Sequence, residues 1–455
     1  MKPFTSDEPS GPENPAPAAP DLTVGKNHGS QTPGPETPAA APGRGRYGRI
    51  LQIAGPAFFS IAFLARLPLA MITIGGLTLV TSISGSYAQG GFTAGAVGVG
   101  SALGGPALGY LADRIGQRKV LLAAAVANPL LIIAVILTAL QLPDGGPFAA
   151  VLAAAFGMGA TGPQVGPLAR VRWMALTSRD RTGREMGTAL SYESMADELS
   201  FVLGPALVGL LAAAVAPWLP LALAAVLSAS MVSAFAFHRS AAVVVPAPRR
   251  GREKMTTPSA RRARGSTSWG LLALPILGMV AMGTFFGSAQ ASLAAFGGTF
   301  GAADAAGLLY SIMGVSSAAA ALSVAFWSQR FSQSARWVAS AAAMTAAALL
   351  LLVPSGIPGM LAVLFVLGIP VGPTMVSIFG IGAELAPRHL MGTFMTLLAS
   401  GTVAGTAVGS GLAGPLAEAF GHPAAFLVSA GAAASLLILG LASAVAVRRA
   451  KDPTA

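Results

Sequence analysis

Twelve apolar runs dominate the chain, each near the ~20 residues a helix needs to cross about 30 Å of hydrocarbon. They cover 51–80, 91–112, 118–140, 147–171, 186–213, 217–238, 269–297, 303–329, 336–354, 358–383, 391–417 and 422–447, numbered here as spans 1 to 12. Only 10% of the 455 residues are charged and 54% are hydrophobic. A water-soluble fold cannot hide that much apolar surface, so the solvent of this chain is lipid. Residues 1–46 differ sharply, with stretches such as PSGPENPAPAAP. They bury too little to offset their ordering entropy and read as a disordered cytoplasmic tail. They do not read as a signal peptide, because the first apolar run starts late and is long. Residues 239–268 form one long interior loop, basic and rich in Pro and Ser. It separates a bundle of six spans at 47–238 from a second at 269–447, and 448–455 form a closing tail.

The basic residues test this count. With the N-terminus in the cytoplasm, no Lys or Arg falls in an exterior loop, and only Arg66 lies well within a span. The other basic residues occupy cytoplasmic tails, interior loops or the span ends beside them, while the exterior loops carry Asp144, Asp304 and Glu418. This is the positive-inside distribution. The formal charge of +11 therefore reports membrane topology, and no nucleic-acid partner is needed to explain it. The basic cluster at 249–264 suits contact with anionic lipid. Tyr87 and Trp218 are expected at the outer interface, and Trp327 and Trp337 at the inner one.

The chain has no Cys and four unclustered His, so neither a disulfide nor a metal centre is expected. Gly95, Gly98 and Gly100 precede no strand and make no phosphate loop. No cofactor or ATP site is read, which leaves ion gradients as the energy source. No His/Asp constellation of a membrane enzyme is present either.

The second half echoes the first at a spacing of roughly 200 residues. Gly166-Pro167 corresponds to Gly372-Pro373, Met186-Gly187-Thr188 to Met391-Gly392-Thr393, and Gly204-Pro205 to Gly414-Pro415. Six spans per half in the same orientation imply a pseudo-two-fold axis along the membrane normal, with a substrate route between the halves.

Between spans 2 and 3 lies GYLADRIGQRKV, with Gly109, Leu111, Asp113, Arg114, Gly116, Arg118 and Lys119. This pattern resembles the signature loop of the major facilitator superfamily, with Gln117 where a basic residue is usual. The resemblance implies an all-α membrane fold of twelve helices in two pseudo-symmetric six-helix bundles. It further implies that Asp113 caps the start of span 11 and helps latch the halves together. Arg114, Arg118 and Lys119 are expected on carboxylates or lipid phosphates. The counterpart loop in the second half, Ala325–Arg336, keeps Arg330 and Arg336 but has no Asp and no glycine. In span 5, Gly204, Pro205 and Gly209 resemble the Gly-Pro motif of this superfamily's drug and proton antiporters, although Ser200 and Val208 replace two usual glycines. Span 4 has Ala153 where many proton-coupled members carry Arg.

Charges inside the membrane are costly and need a partner or a task. Arg66 stands beside Pro68 in span 1, and Glu193, Asp197 and Glu198 stand in the cytoplasmic half of span 5. Glu193 and Asp197 share a helix face and Glu198 points about 100° away. Two readings follow. Either Glu193 and Asp197 share a proton with Arg66 as counterweight, or Glu198 pairs with Arg66; static salt bridges are the structural alternative. Asn128, Gln164 and Gln290 are expected to bond across helices. Together these features describe a secondary transporter in a bacterial plasma membrane, and the resemblance implies a monomer. It would move a small organic molecule by alternating access, with proton-coupled efflux ahead of proton-coupled uptake. A non-transporting receptor or an integral membrane enzyme is the reading from another class.

Overall fold

Helices form wherever the backbone must satisfy its own polar groups in lipid, and the described residues contain no strand. The computed structural model describes residues 45–180, 182–244, 269–300, 306–328 and 330–451. Nearly all of the expected tail 1–46, the interior loop from 245, the basic cluster 249–264, Asp304 and the last four residues lie outside this set.

The first half comprises α1 (Arg46–Ala54), α2 (Pro56–Leu64), α3 (Leu67–Ser84), α4 (Tyr87–Ile115), α5 (Gln117–Leu140), α6 (Phe148–Ala160), α7 (Val165–Leu176), α8 (Arg184–Ala214), α9 (Leu219–Leu227) and α10 (Ser233–Phe237). The second half comprises α11 (Trp269–Gly298), α12 (Ala306–Ser323), α13 (Gln333–Leu349), α14 (Ile357–Leu385), α15 (Met391–Phe420) and α16 (His422–Lys451). Among the described residues, eleven helical segments are long and apolar enough to cross a membrane. The remaining expected span, 91–112, lies in α4, a 29-residue helix whose many glycines lower its apolarity. The halves meet chiefly along two helix pairs, α4 with α15 and α8 with α12, with smaller contacts of α8 with α14 and of α7 with α15. Each half has a large apolar core, and a smaller cluster of Leu190, Ala321, Val324 and Val376 joins them. Met279, Phe285, Trp337 and Phe379 belong to the second, and Phe58, Trp173 and Phe235 to the first.

Two expected spans are broken, and both breaks follow from proline. Pro68 has no amide, so the chain leaves the helix at Ala65–Arg66, between α2 and α3. Span 4 is interrupted at 161–164, where Pro163 stands, and its second piece runs on to Leu176 instead of stopping at 171. That extension draws Arg170 and Arg172 into the helix interior, where both side chains are fully buried. Arg66 is therefore not the only cation well inside a span. Trp337 is also displaced from its expected interfacial place. It is fully buried, with Gly278 and Gly440 pressed against its ring.

Candidate functional site

The loop between α4 and α5 makes a sharp corner at Gly116, whose φ of +95° is open to glycine and strained for other residues. The corner leaves Asp113 pointing across to the second half. There its carboxylate accepts the Gly392 amide at 2.8 Å, the Thr393 amide at 2.7 Å and the Thr393 hydroxyl at 2.7 Å. These amides open α15 and have no partner within the helix, and the negative charge complements its dipole. Close approach of the two helices depends on Gly109. A Cβ there would lie 2.8 Å from the Gly392 carbonyl oxygen and press on Thr396.

The other charges of the loop stay in their own half. Arg114 lies over the Tyr110 ring at 4.7 Å and Arg118 over Phe237 at 4.5 Å. Among the described residues neither meets a carboxylate. Lys119 and Leu111 are exposed. Gln117 is buried, where its amide donates to the Leu168 carbonyl at 3.3 Å and its oxygen accepts from Arg172 Nε at 3.0 Å. A basic side chain at 117 would face the Arg172 guanidinium, so the departure from the family pattern has a local electrostatic cause.

Deeper in the first half, four charges form one network. The Arg66 guanidinium, freed by the break before α3, donates through Nη2 to Glu193 and stands 3.1 Å through Nε from Asp197 Oδ1. Arg170 Nη2 donates to Asp197 Oδ2 at 2.8 Å. Trp173 Nε1 donates to Glu193 Oε1 at 2.6 Å. The first turn of α7 abuts the network at Gly166. Two cations and two carboxylates balance, as burial requires. Arg66 sits between Glu193 and Asp197, so the expected proton-sharing carboxyl pair does not form. The network also touches the other half, because the Arg170 guanidinium lies 3.7 Å from the centre of the Phe379 ring on α14.

Sequence reading missed Arg170 because it stood one residue from the expected end of span 4, where basic residues are ordinary. Proline spacing was the available signal. Pro163 and Pro167 interrupt the run and allow a second helical piece to extend beyond it.

Glu198 does not pair with Arg66 either. It faces α12 of the second half, beside Ser317 and near Tyr310. The side chain is buried, its Oε1 has no hydrogen-bond partner, and no cation pairs with it among the described residues. Fourteen residues past Arg184, at 1.5 Å each, it lies about 21 Å along α8, well inside the bilayer span. Above and below it, Val202 meets Gly314, and Leu190 clusters with Ala321, Val324 and Val376.

The remaining expected positions hold the scaffold. Gly204 packs directly on Ala70 of α3, Pro205 lies within an unbroken α8, and Gly209 faces open space. Asn128 donates to the Met158 carbonyl at 2.8 Å and accepts from Ser228 at 3.1 Å, bridging α5, α6 and a π-helical turn at Ser228–Val232. Gln164 donates to the Gly162 carbonyl at 3.1 Å within the break of span 4.

The fold is shared with solved transporters. The human organic anion transporter MFSD10 (TETRAN) superposes with a TM-score of 0.60 at 18% identity, covering 84% of this chain and 98% of that one. The proton:xylose symporter XylE bound to 6-bromo-6-deoxy-D-glucose gives 0.63 at 16% identity, covering 86% and 95%. A bacterial homologue of the iron transporter ferroportin in its outward-facing state gives 0.64 at 16% identity, covering 85% and 99%. No curated protein sequence matches the chain. The sequence profile of the Major Facilitator Superfamily matches residues 58–399, three quarters of the length. An all-helical membrane architecture, a signature loop seated on the facing helix and this profile agree, and the chain belongs to the Major Facilitator Superfamily.

Proposed function

We propose that the protein is a proton-coupled secondary transporter that exports a small organic molecule, with both termini cytoplasmic in a bacterial plasma membrane. Membership of a transporter family supports secondary transport and argues against an enzyme. Glu198 carries the proposal of proton coupling. A buried carboxylate without a cation costs several kcal/mol, and protonation removes that cost. Its place between α8 and α12 ties the cost to the arrangement of the halves. Opening to the outside lets Glu198 take a proton from external water, the neutral carboxyl passes through the closed state, and opening to the cytoplasm releases the proton to internal water. Glu193 and Asp197, each already neutralised by an arginine, hold the broken span 1 and span 4 in register with span 5. Export is favoured over uptake by the Gly204-Pro205 motif.

The test is flux in proteoliposomes under an imposed pH gradient, with ethidium and tetraphenylphosphonium among the probes. Glu198→Gln is expected to lose acceleration by the gradient while retaining exchange of substrate across equal pH. Gradient-driven flux that survives Glu198→Gln unchanged would overturn the assignment.

A further inference from the structure

The two seams between the halves are unequal at the basic end. The α4–α15 seam is latched by Asp113. The α8–α12 seam has no counterpart, because the second-half loop has no acid. Helix α1, at the start of the first crossing, packs on α8 and reaches across that second seam with two side chains. Arg46 Nη1 donates to the Ala325 carbonyl and the Tyr47 hydroxyl to the Leu322 carbonyl. Both acceptors belong to the last turn of span 8, where the helix tightens into a 3₁₀ turn at Val324–Phe326. The final carbonyls of a helix lack donors within it, and a guanidinium there complements the negative end of the dipole. Phe326 supports both donors, with Arg46 5.3 Å from its ring centre and the Tyr47 ring at 5.9 Å. The other side of α1 is tied to its own half, since Arg49 pairs with Glu185 at the start of α8.

We infer that Arg46 and Tyr47 form a second clasp of the inner gate, closing the α8–α12 seam as Asp113 closes the α4–α15 seam. The inference rests on alternating access, in which all bonds across the basic end break when the transporter opens inward. It fits the chemistry of the donors. Burial pushes the Tyr47 hydroxyl up to about 12, against the opposing charge of Arg46, so it remains a donor throughout the physiological range. The acceptors are main-chain oxygens, so the clasp needs no particular side chain on the second half beyond the Phe326 ring.

The native chain has no Cys, so two introduced cysteines report without background. Ser178→Cys and Ser328→Cys place spin labels at exposed positions on opposite halves of the basic end. Pulsed electron resonance on the full-length protein in nanodiscs then reads their distance distribution. Tyr47→Phe removes one hydroxyl and keeps the ring, and is expected to raise the ratio of long to short distances about fivefold. Arg46→Gln with Tyr47→Phe is expected to raise it further, by tenfold or more. Unchanged distances in both variants, while Asp113→Asn lengthens them, would overturn the clasp and leave alternation intact. Unchanged distances in all three variants would overturn both. Loss of folding in the double variant would leave Tyr47→Phe, which removes a single atom, to decide.

Discussion

The two halves share a topology and divide the chemistry. Within its crossings the first half carries Arg66, Arg170, Arg172, Glu193, Asp197 and Glu198. The second half carries no charge in α11 or α12. It meets the first half mostly with backbone and rings: the Gly392 and Thr393 amides, joined by the Thr393 hydroxyl, take Asp113, the Ala325 and Leu322 carbonyls take Arg46 and Tyr47, and the Phe379 ring takes Arg170. The loops at 109–119 and 325–336 show the same division. In the second, Arg336 is buried and donates to the Ser328 carbonyl at 2.9 Å within its own half, beside the Trp327 and Phe331 rings. Pseudo-symmetric halves thus share a shape without sharing a charge pattern. The polar groups are concentrated on one side, and backbone and rings on the other meet them.

Removal of a buried charge should expose this asymmetry most strongly. Arg66→Met leaves Glu193 buried without its cation and is expected to cost about 3–5 kcal/mol. The double variant with Glu193→Gln should recover part of it, since Arg170 and Asp197 remain balanced. In the second half, Ser288→Ala removes a buried 2.8 Å bond to Ser429 and should cost about 1 kcal/mol. Unfolding temperatures in detergent compare the three, and equal losses in Arg66→Met and Ser288→Ala would break the contrast.

A smaller effect is expected at the loops. Asp113→Asn weakens three bonds to a charged acceptor, each worth about 1.5–3 kcal/mol in full. It should open the basic end in the Ser178/Ser328 distance measurement. Arg330→Ala in the second-half loop should leave the distances unchanged. Opening of similar size in both variants would mean that the second loop also latches.

The smallest effect concerns pH. His238 follows α10 and lies against Ser240, its ring nitrogen 3.0 Å from the hydroxyl that also accepts from Arg172. Burial, with Arg172 and Arg239 adding repulsion, lowers its pKa below the ordinary 6.5. The folded state therefore binds this proton less readily than the unfolded chain. The stability difference is absent well above pH 6.5, and stability falls as pH drops through 6.5 toward the lowered value. His238→Asn should flatten that decline by a few tenths of a kcal/mol, measured as unfolding temperature against pH. An unchanged slope would remove His238 from the account.

Much of this architecture was legible in the residues alone, and the rest was not, for reasons that differ by feature. The position of Asp113 was readable because a compact motif of charge and glycine marks it. The partners of Glu193 and Asp197 were not. Arg66 is 127 residues from Glu193, and Arg170 is 27 residues from Asp197. Arg170 entered the interior only because proline broke span 4 and the helix resumed. Glu198 was visible as a charge in a span, but its isolation emerged only when Arg66 proved to be engaged by the two neighbouring acids. The clasp of Arg46 and Tyr47 left no mark on the acceptor side, since every residue has a carbonyl.

The sequence by itself determined that the chain lives in lipid, how its crossings are ordered and which end is basic. These properties depend on apolarity summed over some twenty contiguous residues and on the linear distribution of Lys and Arg. Only the tertiary structure decided which buried charges are paired, which acid stands alone between the halves and how the second seam is held. Electrostatics and hydrogen bonding act over a few ångströms between groups far apart along the chain, and often through backbone atoms common to every residue.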